Sequence, residues 1–293
     1  MSSFANLKRT AENSLEQVKK AVQDMNSKTY EDDSGEYWKP ELDKSGNGFS
    51  IIRFLPISSH EKDQKLASPW VKYYDHGFQG PGGWYIEMCR STINEADPCN
   101  ESNSILWESG IEANKDIVRT RKRRLHFESN IYVVKDAKNP DNEGRVFRYK
   151  YGKKIMERLL QAMNPQFEDD VAFDPFNFWT GANFKLKVRK VDGQINYDLS
   201  SFDSPAPLKD NDDELEAIWK QEYCLSDKLD KIKSYDELKK RLDRVLGNNV
   251  QSAPQTPQQK ISEAEKELDD VFTSKVDDED EDLKFFDNLN LDD

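Results

Sequence analysis

The sequence is poor in the residues on which most enzyme active sites and extracellular folds depend. It has three histidines and three cysteines among 293 residues, and no histidine is paired with a plausible nucleophile. Three cysteines are too few for a disulfide framework and suit a reducing cytoplasm. Neither a phosphate-binding glycine loop nor a nucleophile elbow occurs. We therefore expect a cytoplasmic protein that is not an enzyme.

Long apolar runs are also absent. No run approaches the roughly 20 residues that span a bilayer, and the polar first ten residues predict no secretory leader. Hydrophobic residues make up 35% of the chain and charged residues 34%. This composition is polar for one globule, so part of the chain is expected not to fold alone, and no membrane partner is expected.

Charge of one sign is concentrated at one end of the chain. The net charge is −13, but residues 261–293 hold 14 acidic residues and three lysines. This segment therefore carries −11 and the remaining residues only −2. A nearly neutral body with an acidic tail can bind a polyanion, which a uniformly acidic protein would repel.

A dense cationic block runs into a predicted strand near the middle of the chain. Residues 119–124 contain five arginines or lysines, including Arg121, Lys122, Arg123 and Arg124, and alternation from Leu125 predicts a half-buried strand. The next strand, residues 145–151, alternates with a period of two. One of its faces holds Phe147, Tyr149 and Tyr151, and the other holds Val146, Arg148 and Lys150.

This hairpin has two interpretations. Aromatic residues at strand spacing are more often core than binding platform, and a cationic run is usually a solvated face. The combination, however, is what a flexible polyanion with exposed bases requires, because cations hold phosphates and rings stack on bases. We expect it to contact nucleic acid.

The remaining patterns predict a mainly β fold with added helices. Short strands at residues 49–56, 70–78 and 84–89 lie between glycine and proline turns, as in a small barrel or sandwich. A hairpin at 184–197 alternates aliphatic residues with a basic stripe. Helices are predicted at about 152–163, 213–225 and 234–247, and the last opens with a capping box from Ser234 to Glu237.

Three candidate zinc ligands, His76, Cys89 and Cys99, fall within 24 residues. The position expected for the partner cysteine of a C-x-x-C motif holds Ser102, a weak ligand. Asp97, Glu101 or a water could complete the set. The alternative is that the histidine and thiols are ordinary packed residues.

Several segments together resemble the replicative single-stranded DNA-binding proteins of T-even-type bacteriophages. The resemblance covers most of residues 40–200 in the same order. It is carried by Asn-Gly-Phe-Ser-Ile-Ile-Arg-Phe-Leu-Pro at 47–56, His-Gly-Phe at 76–78, Trp-Tyr-Ile-Glu-Met-Cys at 84–89, Asn-Ile-Tyr-Val-Val-Lys-Asp at 130–136, Asn-Glu-Gly-Arg-Val-Phe-Arg-Tyr-Lys-Tyr-Gly-Lys-Lys at 142–154, Gly-Ala-Asn-Phe at 181–184 and Asn-Tyr-Asp at 196–198.

The resemblance implies an OB-fold barrel core with an inserted, possibly zinc-binding subdomain. The expected divisions are a basic helical arm, 1–26; a DNA-binding core, 27–247, with the insertion at 60–112; a linker, 248–260; and an acidic tail, 261–293. The arm would contact the next protomer along the strand and make binding cooperative. The tail would bind replication and recombination proteins and compete with DNA for its cleft, in the cytoplasm of a host cell.

The resemblance also assigns residues. Lys8, Arg9 and Thr10 resemble the arm's basic and hydroxyl motif, and Lys122, Arg123 and Arg124 its second copy. Aromatic positions of the family are occupied here by Tyr85, Phe127, Tyr149 and Tyr197. The family's zinc pattern of one histidine and three cysteines is met by His76, Cys89 and Cys99 but lacks its last cysteine, and Ala96 stands where the family has a tyrosine.

The function expected is cooperative, sequence-independent binding of single-stranded DNA in phage replication, recombination and repair. An alternative is an interaction adaptor whose acidic tail recruits replication proteins, with only weak nucleic-acid binding. A third is an RNA-binding regulator that uses the same groove.

Overall fold

The structure is a computed structural model that describes residues 35–61, 66–167, 169–191 and 193–247. The predicted arm with Lys8, Arg9 and Thr10, the linker and the acidic tail lie outside these residues. The chain divides into two compact units, residues 1–39 and 40–293. In the first unit, the described residues contain the short strand β1, Tyr37–Trp38.

An antiparallel sheet dominates the second unit. Its strands are β2 (Gly48–Phe54), β3 (Val71–Gly80), β4 (Gly83–Met88), β5 (Arg124–Asp136), β6 (Val146–Tyr151), β7 (Phe184–Val191), β8 (Gln194–Asn196) and β9 (Ser201–Phe202). The long β5 is central, because it pairs with β2, β3 and β6. From β6 the order runs β5, β2, β7, β8, while β4 pairs with β3 and β9 with β7. The predicted strands and their hairpins are confirmed.

Six α-helices accompany the sheet in the described residues. They are α1 (Pro98–Glu108), α2 (Glu112–Arg121), α3 (Lys153–Met163), α4 (Asp212–Trp219), α5 (Asp227–Asp230) and α6 (Tyr235–Leu246), and 3-10 turns lie at Arg90–Ile93 and Pro140–Asn142. The mainly β class with added helices is thus confirmed. None of the described helices is long and apolar enough to cross a bilayer.

The helix α6 closes over the β3–β4 hairpin. The predicted capping box between Ser234 and Glu237 is present, and Gly247 ends the helix in the left-handed region at φ +74°. The Gly82 N–H donates to the Val245 carbonyl at 2.8 Å. A Cβ on Gly82 would lie 2.0 Å from the Arg244 carbonyl oxygen, so the hairpin tip approaches the helix end as closely as only glycine allows.

Arg53 on β2 is buried and ties the sheet to the loops beside it. Its guanidinium donates to the carbonyls of Asn177 at 2.9 Å, Phe178 at 3.3 Å and Ala206 at 2.9 Å. Burial lowers the pKa of Arg53 to about 10, which still leaves it charged at neutral pH. The dipoles of these carbonyls therefore stabilise the buried positive charge, and the guanidinium in turn fixes the position of the loops that carry them.

Candidate nucleic-acid interface

The cationic block spans the end of α2 and the start of β5. Arg119 and Arg121 lie in the last helical turn, where cations favour the negative end of the helix dipole. Arg119 pairs on the surface with Glu112 at 2.8 Å and Asp116 at 2.5 Å. Its charge is thereby largely offset. The residues that follow, from Lys122 to Arg124, carry the block onto the sheet.

Asp75 on β3 contacts basic side chains from two other strands, β5 and β6. It lies opposite Arg124 in the β3–β5 pairing and accepts from the Arg124 Nε at 2.9 Å. The Lys150 Nζ lies 3.2 Å away and the His126 Nε2 3.1 Å away. Burial raises the pKa of Asp75, but His126, Lys150 and Arg124 together lower it well below its ordinary value. The carboxylate is therefore ionised, and the cations around it outnumber it.

A half-buried ring lies on the opposite face of β3 from Asp75, since consecutive residues of a strand point to opposite faces. The Arg123 guanidinium carbon lies 4.4 Å from the Tyr74 ring centroid, and the Lys72 Nζ lies 5.7 Å from it. Arg123 also donates to the Ser91 Oγ at 2.7 Å, which holds the guanidinium over the ring. Lys72, Tyr74 and Arg123 thus lie on one face of the paired strands β3 and β5, and Asp75, Arg124 and Lys150 on the other. We call these six residues together the Asp75 surface, which offers several cations and one partly exposed aromatic ring.

Most of the predicted stacking rings lie in the core. Those buried are Tyr85, Phe127, Phe147, Tyr149 and Tyr151. Tyr151 stacks between Tyr149, at 5.5 Å between ring centroids, and Phe127, at 5.9 Å. Tyr197 is half-buried. Burial is the main cause that raises the pKa of Tyr149, and the nearby Tyr197 hydroxyl adds to it. Base stacking by these rings stays a prediction, and it requires their faces to become accessible.

The other predicted cations differ in environment. Lys122 is exposed, whereas Arg121 is half-buried and lies 5.2 Å over the Phe78 ring. Burial lowers the pKa of Arg121. The basic stripe on β7 is separated from the Asp75 surface. Ile51 on β2 pairs with Lys185 on β7 and with Lys135 on β5, and Lys135 lies at the opposite end of β5 from Arg124. The two basic surfaces therefore do not form one stripe along the sheet.

Three possible metal ligands, His76, Cys89 and Asp97, lie close together, and His76 directly follows Asp75 on β3. Their candidate ligand atoms all lie within 4.8 Å of one another, and all three residues are buried. The His76 Nδ1 lies 2.8 Å from the Arg121 carbonyl oxygen, so it carries the proton, while Nε2 has no hydrogen-bond partner in the described part of the chain. An unpartnered buried imidazole nitrogen facing a thiol and a carboxylate has the chemistry of a metal ligand.

Cys99 borders this cluster. It is buried two residues after Asp97, and its N–H donates to the Asp97 Oδ1 at 2.9 Å. Burial lowers the pKa of His76, but Asp97 and the thiols of Cys89 and Cys99 raise it, and the net direction is upward. The structure thus brings two of the predicted ligands, His76 and Cys89, together with Asp97, one of the candidates for the fourth position, while the third, Cys99, lies at the border of the group.

An open apolar groove lies elsewhere in the second unit. It has a volume of about 560 Å³ and is lined by Pro56, Ile57, Pro69, Asp174, Phe176, Phe178, Trp179, Leu215, Glu216 and Trp219. Both indole N–H groups are already used, by Asp212 at 2.8 Å and by the Ile57 carbonyl at 2.8 Å. Among the described residues that line the groove, the charged ones are Asp174 and Glu216, and their carboxylates disfavour phosphate there.

Comparison with known proteins identifies the kind of protein that carries these features. A family model described as gp32 DNA binding protein like matches residues 46–246. The chain belongs to this gp32-like family. The match takes in the Asp75 surface, the His76 cluster and the sheet that positions both.

Individual relatives agree with the family match. The single-stranded DNA-binding protein of Enterobacteria phage T4 is 36% identical over 252 residues, which are 84% of this chain and 81% of the relative. The protein of the same name from Enterobacteria phage T2 is 35% identical over the same shares. That of Escherichia phage SV14 is 44% identical over 68 residues, 23% of this chain and 55% of the relative. These names describe binding proteins and not enzymes.

Part of the Asp75 surface is not among the residues that the sequence predicts. Lys72, Tyr74 and Asp75 stand on a predicted strand directly before the candidate ligand His76. A signal was present, because Lys-Tyr-Tyr-Asp places a cation, two rings and a carboxylate in consecutive positions. Their meaning depends on the pairing of β3 with β5, which the sequence alone does not show.

Proposed function

We propose that this chain binds single-stranded DNA with little sequence preference. The observation that carries the proposal is the Asp75 surface, on a member of a family whose relatives are named single-stranded DNA-binding proteins. Its cations would contact phosphates, which every sequence presents alike. The ring of Tyr74 would stack against a base, a contact that tolerates all four bases.

The resemblance of sequence and the strand arrangement support an OB-fold barrel within a core of residues 27–247. A central strand with three antiparallel partners and short hairpins is compatible with a small closed barrel. We assign residues 60–112 as a subdomain inserted into this core. It would supply β3 and β4 as one wall of the DNA-binding cleft.

The terminal segments would regulate DNA binding. We propose that residues 1–26, through Lys8, Arg9 and Thr10, contact a neighbouring copy and make binding cooperative. The tail at 261–293, joined by the linker 248–260, carries the charge of a polyanion and would compete with DNA for the cationic cleft. When DNA displaces it, the tail would become available to phage replication, recombination and repair proteins in the host cytoplasm.

We further propose that the protein holds a structural zinc ion. The buried His76 Nε2 without a partner and the neighbouring thiols of Cys89 and Cys99 fit that ion, since zinc prefers imidazole and thiolate ligands. A bound zinc ion would connect β3, the residue that follows β4, and α1, through His76, Cys89 and Cys99 respectively. Because the His76 Nδ1 binds the Arg121 carbonyl, this would also fix the start of the cationic segment.

The test is a titration of intrinsic fluorescence with a single-stranded oligothymidine and, separately, a duplex of equal length, at about 0.15 M salt. The proposal predicts saturable binding of the single strand and much weaker binding of the duplex. Equal weak responses to both would overturn it and favour the adaptor whose acidic tail is its active part. An RNA of matched sequence distinguishes the RNA-binding regulator, which would bind it more tightly than DNA.

Removing residues 248–293 tests the role of the tail. Affinity for the single strand should rise, because a competing polyanion is lost, with circular dichroism used to check that the fold is retained. Unchanged affinity would contradict competition by the tail and leave DNA binding itself intact.

A further inference from the structure

The position of His76 constrains what can lie beside it. Its Nδ1 donates to the Arg121 carbonyl, so Nε2 is the nitrogen that faces Asp97. The Nε2 to Asp97 Oδ1 distance is 3.5 Å, and Nε2 makes no hydrogen bond within the described residues. Two ligand atoms about 2.0–2.1 Å from one tetrahedral zinc, however, lie roughly 3.3 Å apart, close to the observed separation.

Asp97 is held in place independently of His76. It is the N-cap of α1, and its Oδ1 accepts from the N–H groups of Cys99 at 2.9 Å and Asn100 at 3.1 Å. Its Oδ2 accepts from the Arg90 N–H at 3.0 Å. The carboxylate is therefore fixed before any ion binds, as a preorganised ligand should be.

The other candidates for the fourth position are less suitable. The Glu101 carboxylate accepts a hydrogen bond from the Tyr235 hydroxyl at 2.5 Å, which ties it to the start of α6. Ser102 offers a neutral hydroxyl, which supplies no charge to a zinc ion. A carboxylate supplies the negative charge that the third thiolate of the family pattern would have provided. A water would leave that charge missing.

Donors around the thiols complete the environment of a metal site. The Ser91 Oγ lies 3.0 Å and the Asn100 Nδ2 3.4 Å from the Cys89 Sγ. The Asn103 Nδ2 lies 3.9 Å from the Cys99 Sγ. Polar neighbours of this kind orient ligands and moderate their charge, so the cluster resembles a metal site beyond its first ligands.

We propose that Asp97 is the fourth zinc ligand, so that this chain binds zinc through one histidine, two cysteines and one aspartate in place of one histidine and three cysteines. The inference rests on the zinc site included in the proposed function. It assigns the aspartate two roles, since the same carboxylate caps α1 and coordinates the ion.

The test measures zinc in the full chain and in four variants. Asp97→Asn removes the charge but keeps an N-cap acceptor, and Asp97→Cys replaces the carboxylate by a thiolate. Glu101→Gln and Ser102→Ala are the matched controls. Zinc content is determined by atomic emission after competition with a chelator, and cobalt is substituted to record the thiolate-to-metal absorption band.

We expect Asp97→Asn to lower zinc affinity by at least about 10-fold, while both controls keep the affinity of the parent chain. Asp97→Cys should retain zinc, and its cobalt form should gain about half again in thiolate band intensity, as two thiolates become three. This gain serves as a readout even where Asp97→Asn fails to fold. Parent affinity in Asp97→Asn, or an unchanged band in Asp97→Cys, would overturn the inference.

Two further outcomes separate this inference from the proposed function. A parent chain that binds the single strand but no zinc overturns the Asp97 assignment and leaves DNA binding standing. A chain that binds zinc as expected but not single-stranded DNA overturns the DNA-binding proposal and leaves the ligand set standing.

Discussion

Salt dependence of DNA binding should respond to the charge of the Asp75 surface. The double variant Lys72→Ala, Lys122→Ala removes one cation of this surface and the cation that directly precedes Arg123, and both residues are exposed. Each phosphate contact on a single strand contributes about 0.7 to the slope of log affinity against log salt concentration. If about six phosphates are neutralised, affinity should fall roughly 300-fold between 50 and 200 mM salt in the parent chain.

For the double variant, the same relation predicts a fall of only about 50-fold over this range, since four contacts remain. Affinity is measured by fluorescence anisotropy of a labelled oligothymidine at several salt concentrations. The matched control is Lys138→Ala, Lys220→Ala, which removes the same charge beyond the far end of β5 and at the end of α4. Equal slopes in the two double variants would refute the assignment of phosphate contacts to the Asp75 surface.

Three further predictions concern stability. Burial raises the pKa of Glu222 to about 9, and the nearby carboxylate of Glu61 adds to this effect. The folded chain therefore holds a proton there that the unfolded chain releases above about pH 4.5. The free energy of unfolding should therefore fall by up to about 2.7 kcal/mol from pH 6 to 8. Urea unfolding of Glu222→Gln should show a much smaller pH dependence, whereas the control Glu108→Gln, at an exposed position, should keep the dependence of the parent chain. Ser234→Ala should lower the free energy of unfolding by about 1 kcal/mol in the same assay through loss of the capping box, and no loss would contradict that role. Arg53→Met should lower it by about 3 kcal/mol because three carbonyls, one buried and two partly buried, lose their donor. A change below about 1 kcal/mol would show that water replaces the guanidinium.

The strands could be predicted because their alternation is strong. Phe184, Leu186 and Val188 are buried along β7 as the period of two predicts, while Lys187 and Arg189 face outward. The hydrophobic effect acts on each such strand locally, so the pattern records which face is inside. The helix α6 was predictable for the same reason, helped by its two end signals.

The helices α1 and α2 were missed because they bury few apolar side chains. In α1, the buried residues are Pro98, Cys99, Asn103 and Ser104, which make no hydrophobic stripe. Its N-terminus is instead fixed by Asp97. Helix α4 was predicted to extend to residue 225, but it ends at Trp219. Beyond it, the Tyr223 N–H donates to the Asn130 Oδ1 at 3.1 Å, and the Asn130 Nδ2 donates to the Tyr223 carbonyl at 2.8 Å. Such long-range bonds leave no local trace in the sequence.

The candidate site was predictable in part. The cationic block and the three metal-ligand candidates were recognisable as residue types at particular spacings. The burial of Tyr149 and Tyr151 was one of the two interpretations that the pattern allowed, and the pattern did not decide between them. Both faces of β6 are covered, since Arg148, on the opposite face, is also buried and pairs with Glu128 at 3.1 Å. Alternation predicts which residues share a face, but not whether the second face meets solvent or protein.

Photo-cross-linking of a single-stranded oligothymidine to the full chain, followed by peptide mapping, tests the central claim most directly. Binding at the Asp75 surface predicts cross-linked peptides from β3 around Tyr74 and from the segment 121–128. Cross-links confined to the β7–β8 hairpin, or to the groove between Trp179 and Trp219, would contradict it.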